Sequence, residues 1–152
     1  MKYLLLTISI LLQLPAFSSQ YCQELLDDCE YYTCINQEKN CGSSSYFLKF
    51  GKKYCNKFAE HEEEFSRDGQ DWIKRTKVCL IDSIDKIEDG ISCNQYKREA
   101  ISHHIPCYLD SGYCDLSNYD RAIVTKTILK SLWRPSMISA GIRVLTSCAF
   151  NK

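Results

Sequence analysis

The stretch Cys55–Cys79, CNKFAEHEEEFSRDGQDWIKRTKVC, continues through Cys93 to CYLDSGYC at Cys107–Cys114, and together they carry five of the ten cysteines. Trp72, Ile73, Thr76, Cys79, Leu80, Ser83, Ile84 and Ile87 recur at spacings of three and four, the period of one helix face. Ser66-Arg67-Asp68-Gly69 reads as a break and a new helix start. Gly90 sits where a C′ glycine is expected to stop that helix. Cysteines placed on helical stripes describe a stapled helical unit rather than a catalytic loop.

Working outward, the same period recurs on both sides. Gln20–Cys34 places Cys22, Leu25, Leu26, Cys29 and Tyr32 at helical spacing, predicting a first helix. Asn40-Cys41-Gly42 is a turn signal. Tyr46 to about Phe65 reads as a second helix with Phe47, Phe50, Tyr54, Phe58 and Phe65 on its apolar face. Gly51 inside it costs about 1 kcal/mol relative to Ala. Ser92 with Gln95 is a capping-box signature, and its helix is expected to end at Pro106. Ser117 with Asp120 reads as a second capping box, followed by Tyr119, Ile123, Thr127, Ile128, Leu132 and Trp133 at helical period. Pro135 suits the first turn of a last helix, whose apolar stripe is expected to be Ile138, Ile142, Leu145 and Cys148. Both Trp72 and Trp133 read as core. No stretch alternates as a strand would. The predicted fold is all-α, a disulfide-stapled bundle of five to six helices.

Residues 1–18 read as a secretory signal peptide. Lys2 gives the positive start, and Tyr3–Leu14 is an apolar run shorter than the about 20 residues of a membrane span. Pro15 ends the run, and Ala16 and Ser18 fit cleavage after Ser18. Residues 19–152 form a single domain. All ten cysteines (Cys22, Cys29, Cys34, Cys41, Cys55, Cys79, Cys93, Cys107, Cys114 and Cys148) fall within it. An even count in an exported chain reads as a disulfide framework, although spacing alone leaves the pairing open. No CxxC suggests a zinc site. The expected location is secreted, extracellular, or periplasmic if the source is bacterial. The formal net charge is zero, and losing Lys2 leaves it near −1, so no global charge steers the chain to nucleic acid. The acidic run Glu60–Glu64 reads as a solvated helix face.

The chemistry that the sequence offers is thin. His61, His103 and His104 are the only imidazoles. No GxSxG or HExxH occurs, and adjacent histidines on a helix point about 100° apart, which cannot make one metal face. The glycine-rich calcium loop and paired His-Asp of a secreted phospholipase A2 are absent. Asp27-Asp28, Asp82, Asp85 and Asp89 do not fit an EF-hand loop. No catalytic residue, cofactor or metal is expected, and a binding protein is favoured over an enzyme.

One resemblance spans the mature chain. From Cys55, Phe58, Phe65, Gly69 and Cys79 follow at fixed offsets. Gly69-Gln70-Asp71-Trp72-Ile73-Lys74-Arg75-Thr76-Lys77-Val78-Cys79 is similar to the G-x-x-aromatic-aliphatic-K-x-S/T-x-x-C stretch of the stanniocalcin family. The Cys29/Cys34/Cys41 spacing, the Cys107-Tyr108 pair and the long last gap to Cys148 resemble that family too. The resemblance implies the pairing Cys22–Cys34, Cys29–Cys55, Cys41–Cys93, Cys79–Cys107 and Cys114–Cys148. It also implies a secreted, hormone-like regulator acting by binding an extracellular protein or receptor, with a role in calcium or phosphate balance. Two features depart from the vertebrate members. No cysteine follows Cys148, so a disulfide-linked dimer of that type is not expected. No N-glycosylation sequon occurs, including between Cys34 and Cys41. From other classes, the alternatives are a saposin-like lipid-binding module, which needs an apolar surface open to lipid, and a small secreted hydrolase.

Overall fold

The computed structural model describes residues 22–150. The expected signal peptide, residues 1–18, lies outside the described residues. Every regular element among them is helical.

The predicted first helix is interrupted: Cys22 and Gln23 are helical, residues 24–30 turn, and helix resumes at Tyr31. A straight helix through Cys22 and Cys34 would hold their Cα atoms about 18 Å apart, whereas their disulfide brings them to 5.6 Å. The chain therefore turns between the two. The Asp28 carboxylate accepts the Glu30 amide at 2.8 Å, and α1 starts only at Tyr31, running Tyr31–Glu38. Asn40 and Gly42 then take positive φ, 49° and 73°, in the predicted turn.

The second helical unit opens as a π-helical segment, Phe47–Lys52, and continues as α2, Lys53–Glu60. The wide turn faces Tyr32. A Cβ on Gly51 would stand 2.3 Å from Cδ1 of that ring, so only glycine fits beneath it. The helix stops short of Phe65, because residues 62–64 form a 3-10 turn and Phe65 is extended. The acidic run lies at the surface.

Helix α3, Arg67–Asp85, is the long element that the decisive stretch predicts, with the Ser66 side chain accepting the Gly69 amide as N-cap. It ends at Asp85, so Gly90 is not its C′ residue. Gly90 instead supplies a left-handed turn, φ 82°, within the connection that carries Ile87 and Ile91 back onto the core. The Ser92–Gln95 capping box forms reciprocally at the start of α4, Cys93–Ser102. Pro106 does not end this region. After the single residue His103 the chain re-enters α5, His104–Asp110, and Pro106 is its third residue. There the first-turn amide has no intrahelical partner to lose. Next come a 3-10 turn at Tyr113–Asp115, α6 at Asn118–Ile128, a further 3-10 turn at Leu129–Ser131, and α7 at Pro135–Phe150. With α4 and α5 counted together and the 3-10 turns left aside, the named α-helices make six units among the described residues.

Five disulfides join them, Cys22–Cys34, Cys29–Cys55, Cys41–Cys93 and Cys79–Cys107 overlapping in sequence and Cys114–Cys148 standing apart, with no free cysteine among the described residues. These are the pairs that the stanniocalcin resemblance implies. Two main cores lie between them. The first gathers Tyr31, Tyr32, Ile35, Phe47, Ile81 and Tyr96. The second gathers Trp72, Ile73, Tyr113, Ile123, Val124 and Val144.

Two expectations for the C-terminal region fail. Trp72 is core, at 1% exposure, but Trp133 is 84% exposed. In α7 the buried positions are Met137, Val144 and Cys148, while Ile138, Ile142 and Leu145 are exposed. The bond to Cys114 and the packing of Val144 in the second core fix the rotation of α7. At 100° per residue, the isoleucine stripe then falls about a quarter-turn away from the buried face.

Candidate functional site

The first buried polar cluster is a joint between helices. Asp120, 1% exposed, lies in the first turn of α6. Its carboxylate accepts the Ser66 amide at 2.9 Å, the Ser66 hydroxyl at 2.8 Å and the Ser117 hydroxyl at 2.6 Å. The sequence reading gave Asp120 a local reciprocal cap. The Ser117 half of that box forms, but the carboxylate turns outward to tie the start of α3 to the start of α6. Burial raises its pKa, while hydrogen bonds from Ser117 and Ser66 more than offset this and hold it below the ordinary carboxylate value. Gly69 belongs to the same joint. A Cβ there would approach Asp120 Oδ1 to 2.7 Å and Phe65 to 2.8 Å. Both carboxylate oxygens of Asp120 accept hydrogen bonds from the two helix caps, so this group is structural.

The second feature is an apolar cavity of about 190 Å³ between the two cores, lined among others by Tyr32, Trp72, Thr76, His104, Tyr108 and Val144. For comparison, an engineered apolar cavity of roughly 150 Å³ stays dry and admits benzene. The hydroxyl of Thr76 is buried without a hydrogen-bond partner among the described residues. Nδ1 of His104 lies 2.9 Å from the Ala100 carbonyl, so Nδ1 carries the proton that it donates and Nε2 is the acceptor nitrogen. Burial lowers the His104 pKa and keeps the ring neutral. Burial likewise raises the phenols of Tyr32 and Tyr108 well above their ordinary value.

Chemically, this cavity is suited to holding apolar matter. Lys77 is the one side chain of permanent charge on its lining, and no carboxylate lines it. An activated nucleophile is recognised by a hydrogen bond to its base and an orienting group behind that base. Here Thr76 makes no such bond, and the group behind His104 is a backbone carbonyl. Elsewhere, His61 Nδ1 sits 2.6 Å from Glu64 Oε1, and Glu64 also meets Lys126 at 3.1 Å, both at the surface. No group of three or more metal-ligating side chains occurs among the described residues. Each of the ten cysteines is in a disulfide.

The third feature is the uncovered face formed by α7 and the connection before it. Leu129, Trp133, Ile138, Ile142, Leu145 and Phe150 are six of the eight large hydrophobic side chains exposed among the described residues. Leu145 also borders the cavity. The sequence reading places Trp133, Ile138, Ile142 and Leu145 in the core, because apolar period alone does not say which flank of a helix is covered. Comparison of the chain with protein-family models, with curated proteins and with solved structures returns no match.

Proposed function

We propose that the chain is a secreted, non-enzymatic binding protein of stanniocalcin-like type that acts on an extracellular protein or receptor, with calcium or phosphate regulation as the role implied by resemblance. The observation that supports this most is the pairing of all ten cysteines, which coincides with the pairing drawn from the resemblance. Five disulfides are compatible with an extracellular protein, where such bonds persist. Among the described residues no helix is long and apolar enough to cross a membrane. Among the described residues no histidine is hydrogen-bonded to a serine, threonine or cysteine side chain, which favours binding over hydrolysis.

The test is made on protein recovered from the medium of its expressing host. Its mature N-terminus is read, and it is then immobilised to capture proteins from extracellular fluid. The proposal expects an N-terminus near residue 19 and saturable capture of a defined partner, lost when the disulfides are reduced. Retention inside the cell, or turnover of ester, peptide or glycoside substrates that co-purifies with the folded protein, would overturn it.

A further inference from the structure

The segment that carries most of the exposed apolar side chains is also the basic part of the sequence. After Asp120 the sequence holds six basic residues, Arg121, Lys126, Lys130, Arg134, Arg143 and Lys152, and no acidic one. The rest of the chain carries 13 basic side chains against all 19 acidic ones. Arg121 is taken up by the Cys114 carbonyl, and Lys126 by Glu64. Lys130, Arg134 and Arg143 are exposed and make no ion pair among the described residues. In the sequence Lys130 and Arg134 lie on either side of Trp133, and Arg143 follows Ile142; Trp133, Ile138, Ile142 and Leu145 are 84%, 44%, 56% and 57% exposed.

We propose that this face docks the protein on the surface of an anionic membrane. Trp133, Ile138, Ile142 and Leu145 enter the boundary between headgroups and acyl chains, and Lys130, Arg134 and Arg143 reach the lipid phosphates. An exposed apolar helix face, with cations and an aromatic residue in the connection leading into it, suits a chain that lies in the interface plane rather than crossing it. Indole is suited to that depth, being apolar in body with one polar edge. Long basic side chains lie along apolar surface while their charge stays with phosphate and water. Charge selects this occupant over a second copy of the chain, since a two-fold contact through this face would set basic residues against basic residues. The inference stands apart from the stanniocalcin-like reading, and either can fail alone.

The experiment is co-sedimentation of the mature, disulfide-intact protein with vesicles of phosphatidylglycerol and phosphatidylcholine, compared with phosphatidylcholine alone. Binding is expected on the anionic vesicles only, weakening as salt rises. Tryptophan emission should shift to the blue on binding, and Trp133→Phe should abolish the shift, because Trp72 is already buried. Ile142→Asp should weaken binding at least ten-fold with an unchanged circular dichroism spectrum. The double variant Arg134→Gln/Arg143→Gln, wholly on the surface, should weaken it by about five-fold per charge removed. No binding to anionic vesicles, equal binding to neutral ones, or binding unaffected by both sets of variants would overturn the proposal. Dimerisation that shields Trp133 while vesicles are ignored would overturn it in favour of a second copy.

Discussion

Three of the five disulfides, Cys22–Cys34, Cys29–Cys55 and Cys41–Cys93, close around the first core, where Tyr31, Phe47, Ile81 and Tyr96 are all but fully buried. A single one, Cys114–Cys148, holds α7, whose apolar side chains are divided between the second core and solvent. The N-terminal block is thus fixed by covalent links and aromatic packing together. The last helix is anchored near its C-terminal end and at Met137 and Val144, and leaves a face uncovered. The difference separates the part of the molecule that maintains the fold from the part available to meet something else.

Covalent links test that contrast with the largest expected effect. Loop-closure entropy gives about 4 kcal/mol for losing either Cys41–Cys93 or Cys114–Cys148, by the chain-entropy relation. What differs is where the loss is felt. Replacing Cys41 and Cys93 with serine should lower protection from hydrogen exchange across the whole first core. The same change at Cys114 and Cys148 should release mainly the α7 amides. Equal loss of protection in both variants would erase the distinction.

Asp120→Ala should follow, at about 3 kcal/mol in chemical denaturation, because it strands the Ser66 amide and two hydroxyls in a buried joint. Gly51→Ala should cost about 2 kcal/mol, since the new methyl group collides with the Tyr32 ring. Acid should act next. His104 has a folded pKa below its ordinary value, so the unfolded chain binds more protons as pH falls beneath about 6.5. Stability should therefore decline from there down to the folded value, and His104→Phe should remove that arm of the melting-temperature profile. Asp120, also depressed, contributes stability that is lost lower, as pH falls from the ordinary carboxylate range through its folded value. Smallest of all, Ile142→Ser should change stability by less than about 0.5 kcal/mol. A loss of several times that size would mean the face is part of the core after all.

The features that were legible in the sequence are those decided by a few neighbouring residues. The Ser92–Gln95 box, Pro135 opening the last helix, the turn at Asn40–Gly42 and the run of α3 all follow from local chemistry, and so does the all-α class. Readings failed where a distant partner intervened. The bond from Cys22 to Cys34 breaks the first periodic run, and the pull of Ile87 and Ile91 toward the core ends α3 before Gly90. Asp120 reaches Ser66, 54 residues away in sequence, and so joins two helix starts, and local spacing cannot reveal that. The rotation of α7 depends on Cys114 and Val144. One signal for its exposed face was nevertheless present in the sequence, namely the absence of any acidic residue after Asp120. The cavity and the unpartnered Thr76 hydroxyl depend on how two cores meet, and no periodicity encodes that.

The framework of five disulfides underlies both the fold and the proposed function, and a non-reducing peptide map with intact mass tests it most directly. The native protein should weigh ten hydrogens less than its reduced form and show no free thiol. Its linked peptides should be Cys22–Cys34, Cys29–Cys55, Cys41–Cys93, Cys79–Cys107 and Cys114–Cys148. A free cysteine, or any exchanged pair, would contradict the account, remove its main support for the stanniocalcin-like reading and leave the orientation of α7 without its anchor.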